Sequence, residues 1–306
     1  MKTIGTVIAT YNGEKYLEDQ MDSIINQSLK PNKIVVVDDC STDETTNIIV
    51  EYKKKYPKMI VFEQNKKNLG PKKAFEHGIS LCKTDYIALC DQDDTWKPDK
   101  LKKCYDTLEQ NLDAKLCFHD LELIDENGNS FGISYWESAV TPLPLSSADA
   151  RKRLSTFTNF IPGCTMFFSS DLKEYILPIP DSKWSLFDWW IAMVAFFLVK
   201  PIIVPETLTC YRLHDEQVCS LMLNIQRKRK KHSLKEVPYK IVREARRIVF
   251  RKKQAEIRLQ ENKERECALS QDVLKVISMY EALSLNHIPK EELSDLKDML
   301  ESKIQI

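Results

Sequence analysis

The first 90 residues alternate short apolar runs with segments of helical periodicity. Runs rich in β-branched residues predict strands, and apolar positions three and four apart predict helices. Strands and helices in alternation predict a parallel α/β sheet. The predicted strands are residues 4–10, 33–37, 59–64 and 86–90, and the predicted helices are residues 14–27, a segment capped by Ser41 or Thr42 that ends near Tyr56, and a segment from Pro71 through Leu81.

Polar clusters follow three of these strands directly. Tyr11 and Asn12 follow the first strand, residues 38–43 follow the second, and residues 91–94 follow the fourth. Ligands of parallel sheets bind beyond the carboxyl ends of the strands. The sequence therefore predicts that three loops converge on one crevice.

The predicted crevice is rich in carboxylates, which by themselves would repel a nucleotide diphosphate. A divalent cation removes that conflict, because hard cations bind carboxylate and phosphate oxygens together. The Asp-x-Asp spacing lets one side chain reach a ribose hydroxyl while the other reaches the metal. If the crevice holds a sugar nucleotide, Mg²⁺ or Mn²⁺ is therefore expected with it, and the carboxylates come from Asp38, Asp39, Asp91, Asp93 and Asp94.

Five motifs in order resemble the inverting glycosyltransferases of family 2, most closely the bacterial rhamnosyltransferase-like branch. The resemblance covers roughly residues 1–219 and implies a GT-A fold, an α/β nucleotide-binding sheet flanked by helices. It also implies two halves, residues 1–110 for the nucleotide sugar and residues 111–219 for the acceptor. The motifs are residues 10–12, 36–43, 68–70, 90–96 and 159–166, and residues 188–190 add an Asp-Trp-Trp element.

The resemblance also assigns roles to single residues. Asp93 would bind the metal and Asp188 would be the catalytic base, while His214 would approach the metal or the diphosphate. Thr10 and Asp39 would contact the nucleoside base, and Asp91 would lie near the ribose. The remaining expected nucleotide-sugar contacts are Tyr11, Asn12, Glu14, Asn68, Gly70, Lys73 and Gln92, and the expected acceptor-side residues are Asp94, Trp96, Gly163, Cys164, Trp189 and Trp190.

An aspartate base suits such a transfer, because the acceptor hydroxyl must lose its proton as it attacks the anomeric carbon. One in-line displacement inverts the configuration without a covalent intermediate. Each functional assignment has a purely structural alternative. Asp43 and Asp188 would each cap a helix, and His214 would be a core or surface histidine. Tryptophans near Asp188 are either core residues or stacking faces for acceptor sugars.

Composition adds limits rather than a function. The chain has 306 residues, 43% of them hydrophobic, and its nine cysteines form no C-x-x-C pair, so we expect buried free thiols and no zinc site. The first residues lack the apolar stretch of a signal peptide, and the longest apolar run, near residues 189–199, is too short to span a bilayer. These features predict a cytoplasmic protein.

The net charge of zero hides a basic tail. Residues 220–306 carry seven more basic than acidic side chains, and the residues before them carry the opposite excess. Apolar positions at helical spacing between residues 241 and 249 lie among arginines, which is typical of a basic amphipathic helix. We expect a helical C-terminal extension that either packs on the catalytic domain or contacts an anionic membrane, with apolar faces suited to self-association.

Two other functions stay open at this point. A nucleotidyltransferase shares the α/β core but normally has a glycine-rich phosphate loop after the first strand, which this chain lacks. A catalytically silent sugar-nucleotide-binding scaffold is the second alternative. A nucleic-acid partner is not expected, because the tail has no interleaved aromatic residues. The expected partners are a UDP or dTDP sugar and a saccharide or lipid-linked saccharide, in the synthesis of cell-surface polysaccharide.

Overall fold

The computed structural model of the protein describes residues 1–138, 150, 154, 159–180 and 186–214. The C-terminal extension lies outside the described residues. The strands are β1 (Ile4–Thr10), β2 (Lys33–Asp38), β3 (Ile60–Gln64), β4 (Tyr86–Cys90), β5 (Thr95–Trp96), β6 (Leu116–Ile124), β7 (Ser130–Ser134), β8 (Phe167–Ser169) and β9 (Ile202–Arg212). The helices are α1 (Leu17–Ile25), α2 (Thr45–Lys55), α3 (Pro71–Leu81), α4 (Lys100–Gln110), α5 (Tyr135–Ser138), α6 (Lys173–Ile176) and α7 (Phe187–Leu198).

The four predicted strands form the parallel part of the sheet, in the order β3-β2-β1-β4. All four end at the same edge, so the loops after β1, β2 and β4 meet there, as the sequence predicts. β1 is buried along nearly its whole length, because helices cover both faces of this part of the sheet. The expected α/β fold is confirmed.

The sheet continues beyond β4 as a mixed sheet, in the order β8-β6-β9-β5. β7 lies off this order and pairs with the carboxyl-terminal end of β6. β8 runs antiparallel to both β4 and β6, whereas β9 runs parallel to β6 along most of its length. β5, which directly follows the 91–94 loop, pairs with the carboxyl-terminal half of β9. This pairing carries the end of β9 to the crevice edge.

Two hydrophobic cores cover the two faces of the sheet. One core packs α3 and α7 on one face, with Phe75 and Trp190 among its buried residues. The other packs α1, α2 and α4 on the opposite face. α7 is buried along almost its entire length, which explains its continuous apolar sequence. Among the described residues, no helix is long and apolar enough to cross a bilayer.

Two predicted helices begin later than the sequence suggests. α1 starts at Leu17 because the chain first makes a turn in which the backbone N–H groups of Tyr16 and Leu17 both donate to the Gly13 carbonyl. α2 starts at Thr45, and neither Ser41 nor Thr42 caps it. Both residues instead bond to the loop after β1, so the competing contact between loops decides where the helix begins.

Candidate active site

The loop after β1 is tied to the loop after β2 by hydrogen bonds in both directions. The backbone N–H of Asn12 donates to Ser41 Oγ at 2.9 Å, and the Asn12 side-chain oxygen accepts from the backbone N–H of Thr42 at 2.9 Å. Asn12 has a φ of 47°, in the left-handed region that asparagine tolerates. These bonds hold the crevice wall rigid and use the polar atoms of Asn12.

The carboxylates of Glu14 and Asp43 each accept a backbone hydrogen bond from the segment opposite, near the starts of α1 and α2. Asp43 accepts from the backbone N–H of Glu14 at 3.1 Å, and Glu14 accepts from the backbone N–H of Glu44 at 2.8 Å. Burial acts to raise the pKa of Asp43, but hydrogen bonds from Thr45 and Glu14 outweigh it and lower that pKa. The expected capping role of Asp43 is therefore present, in a cross-loop form, and the Glu14 carboxylate serves the same purpose.

Asp38 and Asp39 are buried and face different neighbours. Asp38 accepts from the Thr10 hydroxyl at 3.0 Å, which links the ends of β1 and β2. Asp39 accepts from the Asn65 side chain at 2.8 Å and from the backbone N–H groups of Leu69 and Gly70. The Asp39 carboxylate thus shapes the loop before α3, and its expected contact with the nucleoside base stays a prediction, as does that of Thr10.

The loop before α3 places three further expected contacts near this edge. Asn68 accepts from the backbone N–H of Gly70, whose φ of 83° suits glycine. Lys73, in the first turn of α3, forms an ion pair with Glu76 at 3.0 Å and keeps 38% of its side chain exposed. An exposed ammonium can exchange that partner for a phosphate, so the phosphate contact stays a prediction.

Gln92 joins the loop after β4 to the loop after β1. Its side-chain oxygen accepts from the backbone N–H of Tyr11 at 2.8 Å, and its side-chain nitrogen donates to the Tyr11 carbonyl at 3.0 Å. A side chain on Gly13 would lie 2.4 Å from the Gln92 amide oxygen, so this pairing needs glycine at position 13. The Tyr11 ring is left 45% exposed at the crevice edge.

The carboxylates after β4 form a crowded acidic group. Burial, followed by the charges of Asp93 and Asp188, raises the pKa of Asp91 to about 7. Burial and the charges of Asp93 and Asp91 raise the pKa of Asp94 well above its usual value. One ligand atom each of Asp91, Asp94 and Cys164 lies within 4.8 Å of the others. Crowding of like charges at a buried position is the arrangement that a cation relieves.

Asp93 faces the end of β9. His214 Nε2 lies 2.9 Å from Asp93 Oδ2, and both side chains are largely buried. The structure therefore brings together the two residues that the sequence assigned to the metal, although they are far apart in the chain. Their role in metal binding stays a prediction.

Asp188 lies in the first turn of α7, directly after Phe187. Burial raises the pKa of Asp188 to about 6, and hydrogen bonds from the backbone N–H groups of Trp189 and Gly163 oppose that rise. Its charge raises the pKa of Asp91, so the two carboxyls are electrostatic neighbours. The helix already begins at Phe187, so Asp188 is not its N-cap residue.

The residues expected on the acceptor side lie at a turn and in the core, and their acceptor role stays a prediction. Gly163 packs so closely on α7 that an added Cβ would lie 2.6 Å from the Phe187 ring and 3.4 Å from Asp188 Cβ. Trp189 and Trp190 are buried, and their indole N–H groups donate to the carbonyls of Leu154 and Ile176. Trp189 and Trp190 therefore match the core alternative, and Trp184, the third tryptophan near Asp188, lies outside the described residues.

Trp96 and Cys164 are also buried. The Trp96 ring lies against the ammonium of Lys100, 3.7 Å from the ring centroid, rather than in the crevice. The Cys164 thiol is buried, and burial raises its pKa well above the usual value, so it is not a thiolate. The cysteines that the structure describes carry no disulfide, as the sequence predicts.

Arg212 is the main residue that the sequence reasoning missed. Its backbone N–H donates to Asp94 Oδ1 at 3.1 Å, and its guanidinium donates to the carbonyls of Asp93 and Glu126. The guanidinium also lies 4.6 Å from the centroid of the Tyr16 ring, which in turn contacts the His214 ring. Its position two residues before His214 was the available signal.

Three comparisons bear on this site. A model of glycosyl transferase family 2 matches residues 6–176. An uncharacterized glycosyltransferase of Nostoc sp. is 30% identical over 69% of this chain and 65% of that protein. The dTDP-rhamnosyl transferase RfbG of Shigella flexneri is 31% identical over 60% of this chain and 63% of that protein.

A solved structure shares the fold. That of TarS from S. aureus in complex with UDP-GlcNAc has a TM-score of 0.55 at 17% identity, and covers 99% of this chain and 81% of that one. The match to this chain covers less than two thirds of the length of the Nostoc protein and of RfbG. The matched family model covers the crevice loops and the turn at Gly163, and together with the mixed α/β fold it shows that this chain belongs to glycosyltransferase family 2.

Proposed function

We propose that the chain transfers a sugar from a nucleotide-diphosphate donor to a saccharide hydroxyl, with inversion, in polysaccharide synthesis. The observation that carries the proposal is the meeting of two chemical groups at one edge of the sheet. One group is the acidic cluster of Asp91 and Asp93 with His214, which suits a metal-bound diphosphate. The other is Asp188, a buried carboxyl that is an electrostatic neighbour of Asp91.

The residues present fit a divalent cation. Carboxylate oxygens are preferred ligands of Mg²⁺ and Mn²⁺, and Asp91 and Asp93 supply them beside the His214 imidazole. A bound cation would supply charge to stabilise the departing diphosphate. The rest of the reaction falls to the chain's own residues, which hold the donor and take the acceptor proton.

Asp188 suits the role of base. A base works best when its pKa lies near the working pH, and burial has moved the pKa of Asp188 to about 6. Above that pH the carboxylate is ionised and can accept a proton from an acceptor hydroxyl. The Trp189 backbone N–H donates to Asp188 Oδ1 at 2.6 Å and orients the carboxylate for one in-line displacement.

The donor is proposed from the relatives. RfbG is named as a dTDP-rhamnosyl transferase, and TarS was solved with UDP-GlcNAc. We therefore propose a dTDP or UDP sugar, with rhamnose first and glucose, galactose or an amino sugar next. The exposed Tyr11 ring offers a stacking face for the base.

A donor screen tests the proposal. Purified protein is incubated with UDP-, GDP- and dTDP-sugars, with Mn²⁺ or with EDTA, and the released nucleoside diphosphate is measured. We expect release from one donor with Mn²⁺, and a loss of at least about 100-fold in Asp93→Ala, because the main cation ligand is gone. The matched control is Asp106→Ala, which removes an exposed carboxylate on α4 that pairs with Lys102. Equal release by Asp93→Ala would contradict the metal assignment.

The competing functions give different results in the same screen. A silent scaffold would bind a donor, seen as a thermal shift, with no release in the presence of any saccharide. A nucleotidyltransferase would release pyrophosphate from a nucleoside triphosphate, which can be measured directly. The lack of a glycine-rich phosphate loop after β1 argues against the nucleotidyltransferase, and the intact Asp91, Asp93 and Asp188 argue against the scaffold.

The basic tail supports a separate proposal, peripheral contact with an anionic membrane that carries a lipid-linked acceptor. It rests on the sequence of residues 227–258, because these residues lie outside the described part of the chain. In vesicle flotation we expect binding to rise with the fraction of phosphatidylglycerol and to fall with added salt. Equal binding to neutral vesicles would remove the electrostatic part of this proposal.

A further inference from the structure

Lys100, the first residue of α4, is fully buried although it is a lysine. Its ammonium donates to the Cys164 carbonyl at 2.6 Å and to the Thr209 hydroxyl at 2.9 Å. It also lies 3.7 Å from the centroid of the Trp96 ring. Its direct partners are therefore two neutral oxygens and an aromatic face.

Stability alone does not explain a lysine at this position. Removing an ammonium from water costs several kcal/mol even after the protein relaxes, and an apolar side chain of the same length avoids that cost. Lysines are almost never fully buried without a partner of opposite charge. A cation held mainly by neutral groups indicates that the positions of those groups matter.

The three partners of Lys100 lie on three segments that carry the proposed chemistry. Trp96 belongs to β5, directly after the 91–94 loop. Cys164 belongs to the turn Gly163–Thr165, which packs on Asp188 so closely that a Cβ on Gly163 would lie 3.4 Å from Asp188 Cβ. Thr209 lies on β9, which leads to His214.

Asp94, in the 91–94 loop, approaches the same turn and the same strand as Lys100. Asp94 Oδ1 accepts from the backbone N–H of Arg212 on β9, and its carboxylate lies within 4.8 Å of the Cys164 sulfur. Two buried ionisable residues, Asp94 and Lys100, thus meet the turn and the strand together. Each holds β9 and the turn at different atoms, which fixes both distance and orientation.

We propose that Lys100 is a positioning residue. It fixes the turn Gly163–Thr165, which packs on Asp188, and the end of β9 relative to the 91–94 loop. The inference rests on the proposed glycosyl transfer. Lys100 touches neither donor nor acceptor in this role, and acts through the Cys164 carbonyl and the Thr209 hydroxyl. Its loss should therefore slow the chemical step and leave donor binding nearly unchanged.

The test compares Lys100→Met, which keeps the length and removes the charge, with Lys173→Met. Lys173 is the matched control, since its ammonium also donates to a cysteine carbonyl, that of Cys82, at the opposite edge of the sheet. The assay uses the donor found in the screen with water as acceptor, and Kd is measured for UDP and dTDP with Mn²⁺. For Lys100→Met we expect kcat per folded molecule to fall at least about 30-fold, with donor KM and both Kd values within threefold. Lys173→Met should keep its kcat.

A purely structural role gives another pattern. It would lower the melting temperature and the folded fraction, and leave kcat per folded molecule within threefold of the wild type; that result overturns the proposal. If Lys100→Met does not fold, Thr209→Val removes one acceptor and keeps the shape, and its kcat should fall several-fold at constant KM. An unchanged kcat in Thr209→Val would then count against the proposal. Donor binding by the wild type without release, either with water or in the presence of any saccharide, would instead refute the proposed transfer itself.

Discussion

At Asp188 the fold raises the pKa of a carboxyl by burying it. The side chain lies at the start of a helix that is apolar on all sides, so burial raises its pKa, while two backbone N–H groups keep the ionised form accessible. The neighbouring Asp91 has a raised pKa for a related reason, since burial is joined there by the charges of Asp93 and Asp188. Two carboxyls near each other thus titrate in the neutral range.

This leads to a prediction about pH. Because the pKa of Asp188 is raised, the residue is protonated and inactive as a base at low pH, and kcat should rise with pH to a plateau above about 6. Asp188→Asn should bind UDP with Mn²⁺ as the wild type does and lower kcat by roughly 10²–10⁴-fold. A pH profile of kcat for both forms is the measurement.

The residual activity of Asp188→Asn decides whether the rise of kcat with pH is caused by ionisation of Asp188. If Asp188 is the base, the remaining rate should not follow a group with a pKa of about 6. A limb retained in the variant would point to Asp91, whose pKa is about 7. Full activity in Asp188→Asn would remove this residue from the mechanism.

At the scale of elements, the turn Gly163–Thr165 and α7 form one unit. Phe187 stacks on Phe75 of α3, with ring centroids 4.0 Å apart, and leaves no room for a side chain on Gly163. The turn therefore approaches the helix only because position 163 is glycine. A Cβ on Gly163 would also lie 3.4 Å from Asp188 Cβ, so the surroundings of the Asp188 carboxyl depend on that approach.

We predict that Gly163→Ala lowers kcat about tenfold or more and destabilises the fold by about 1–3 kcal/mol, because the added methyl group must displace Phe187 or the turn. Urea unfolding and steady-state kinetics measure the two effects. The second-site variant Phe187→Leu should recover part of the kcat in the double mutant by making room. A Gly163→Ala enzyme with normal kcat would mean that the turn does not orient Asp188.

The parallel elements were predictable because their signals are local. β4 matches its predicted bounds, Tyr86–Cys90, since a fully apolar run meets four polar residues without transition. The start of α2 was not predictable, because Ser41 and Thr42 bond to Asn12 across the crevice. The burial of Trp189 and Trp190 was equally hidden, since a tryptophan beside a catalytic aspartate looks the same in sequence whether it packs in a core or stacks on a sugar.

At the scale of the whole molecule, Arg212 joins distant parts of the chain. It lies on β9, yet it bonds to Asp93 and Asp94 after β4, and its guanidinium lies against the Tyr16 ring before α1. Contacts between such distant positions carry no periodic signal, which is why the sequence indicated His214 and not Arg212. The guanidinium fork contacts the Asp93 carbonyl, the Glu126 carbonyl and the Tyr16 ring together, which an ammonium cannot do, whereas the bond to Asp94 comes from the Arg212 backbone N–H.

We therefore predict that Arg212→Lys raises the Mn²⁺ concentration for half-maximal activity about tenfold, because the carbonyl of Asp93 and the Tyr16 ring lose their shared partner. The matched control is Lys103→Met, which removes an exposed ion pair between Lys103 and Glu206 and should change nothing measurable. Titration of nucleotide release with Mn²⁺ tests both. An unchanged metal requirement in Arg212→Lys would show that the end of β9 is held by other contacts.

The pairing of β5 with β9 has a consequence for engineering new specificity. Exchanging the residues after position 110 for those of a relative would replace β9 while keeping β5 and α4. In such a chimera β5 and β9 would come from different parents, as would Lys100 and its partners Cys164 and Thr209, and the mismatch would fall beside the 91–94 loop. Grafts that also carry residues 95–104 should therefore yield active hybrids more often than grafts with a junction near residue 110.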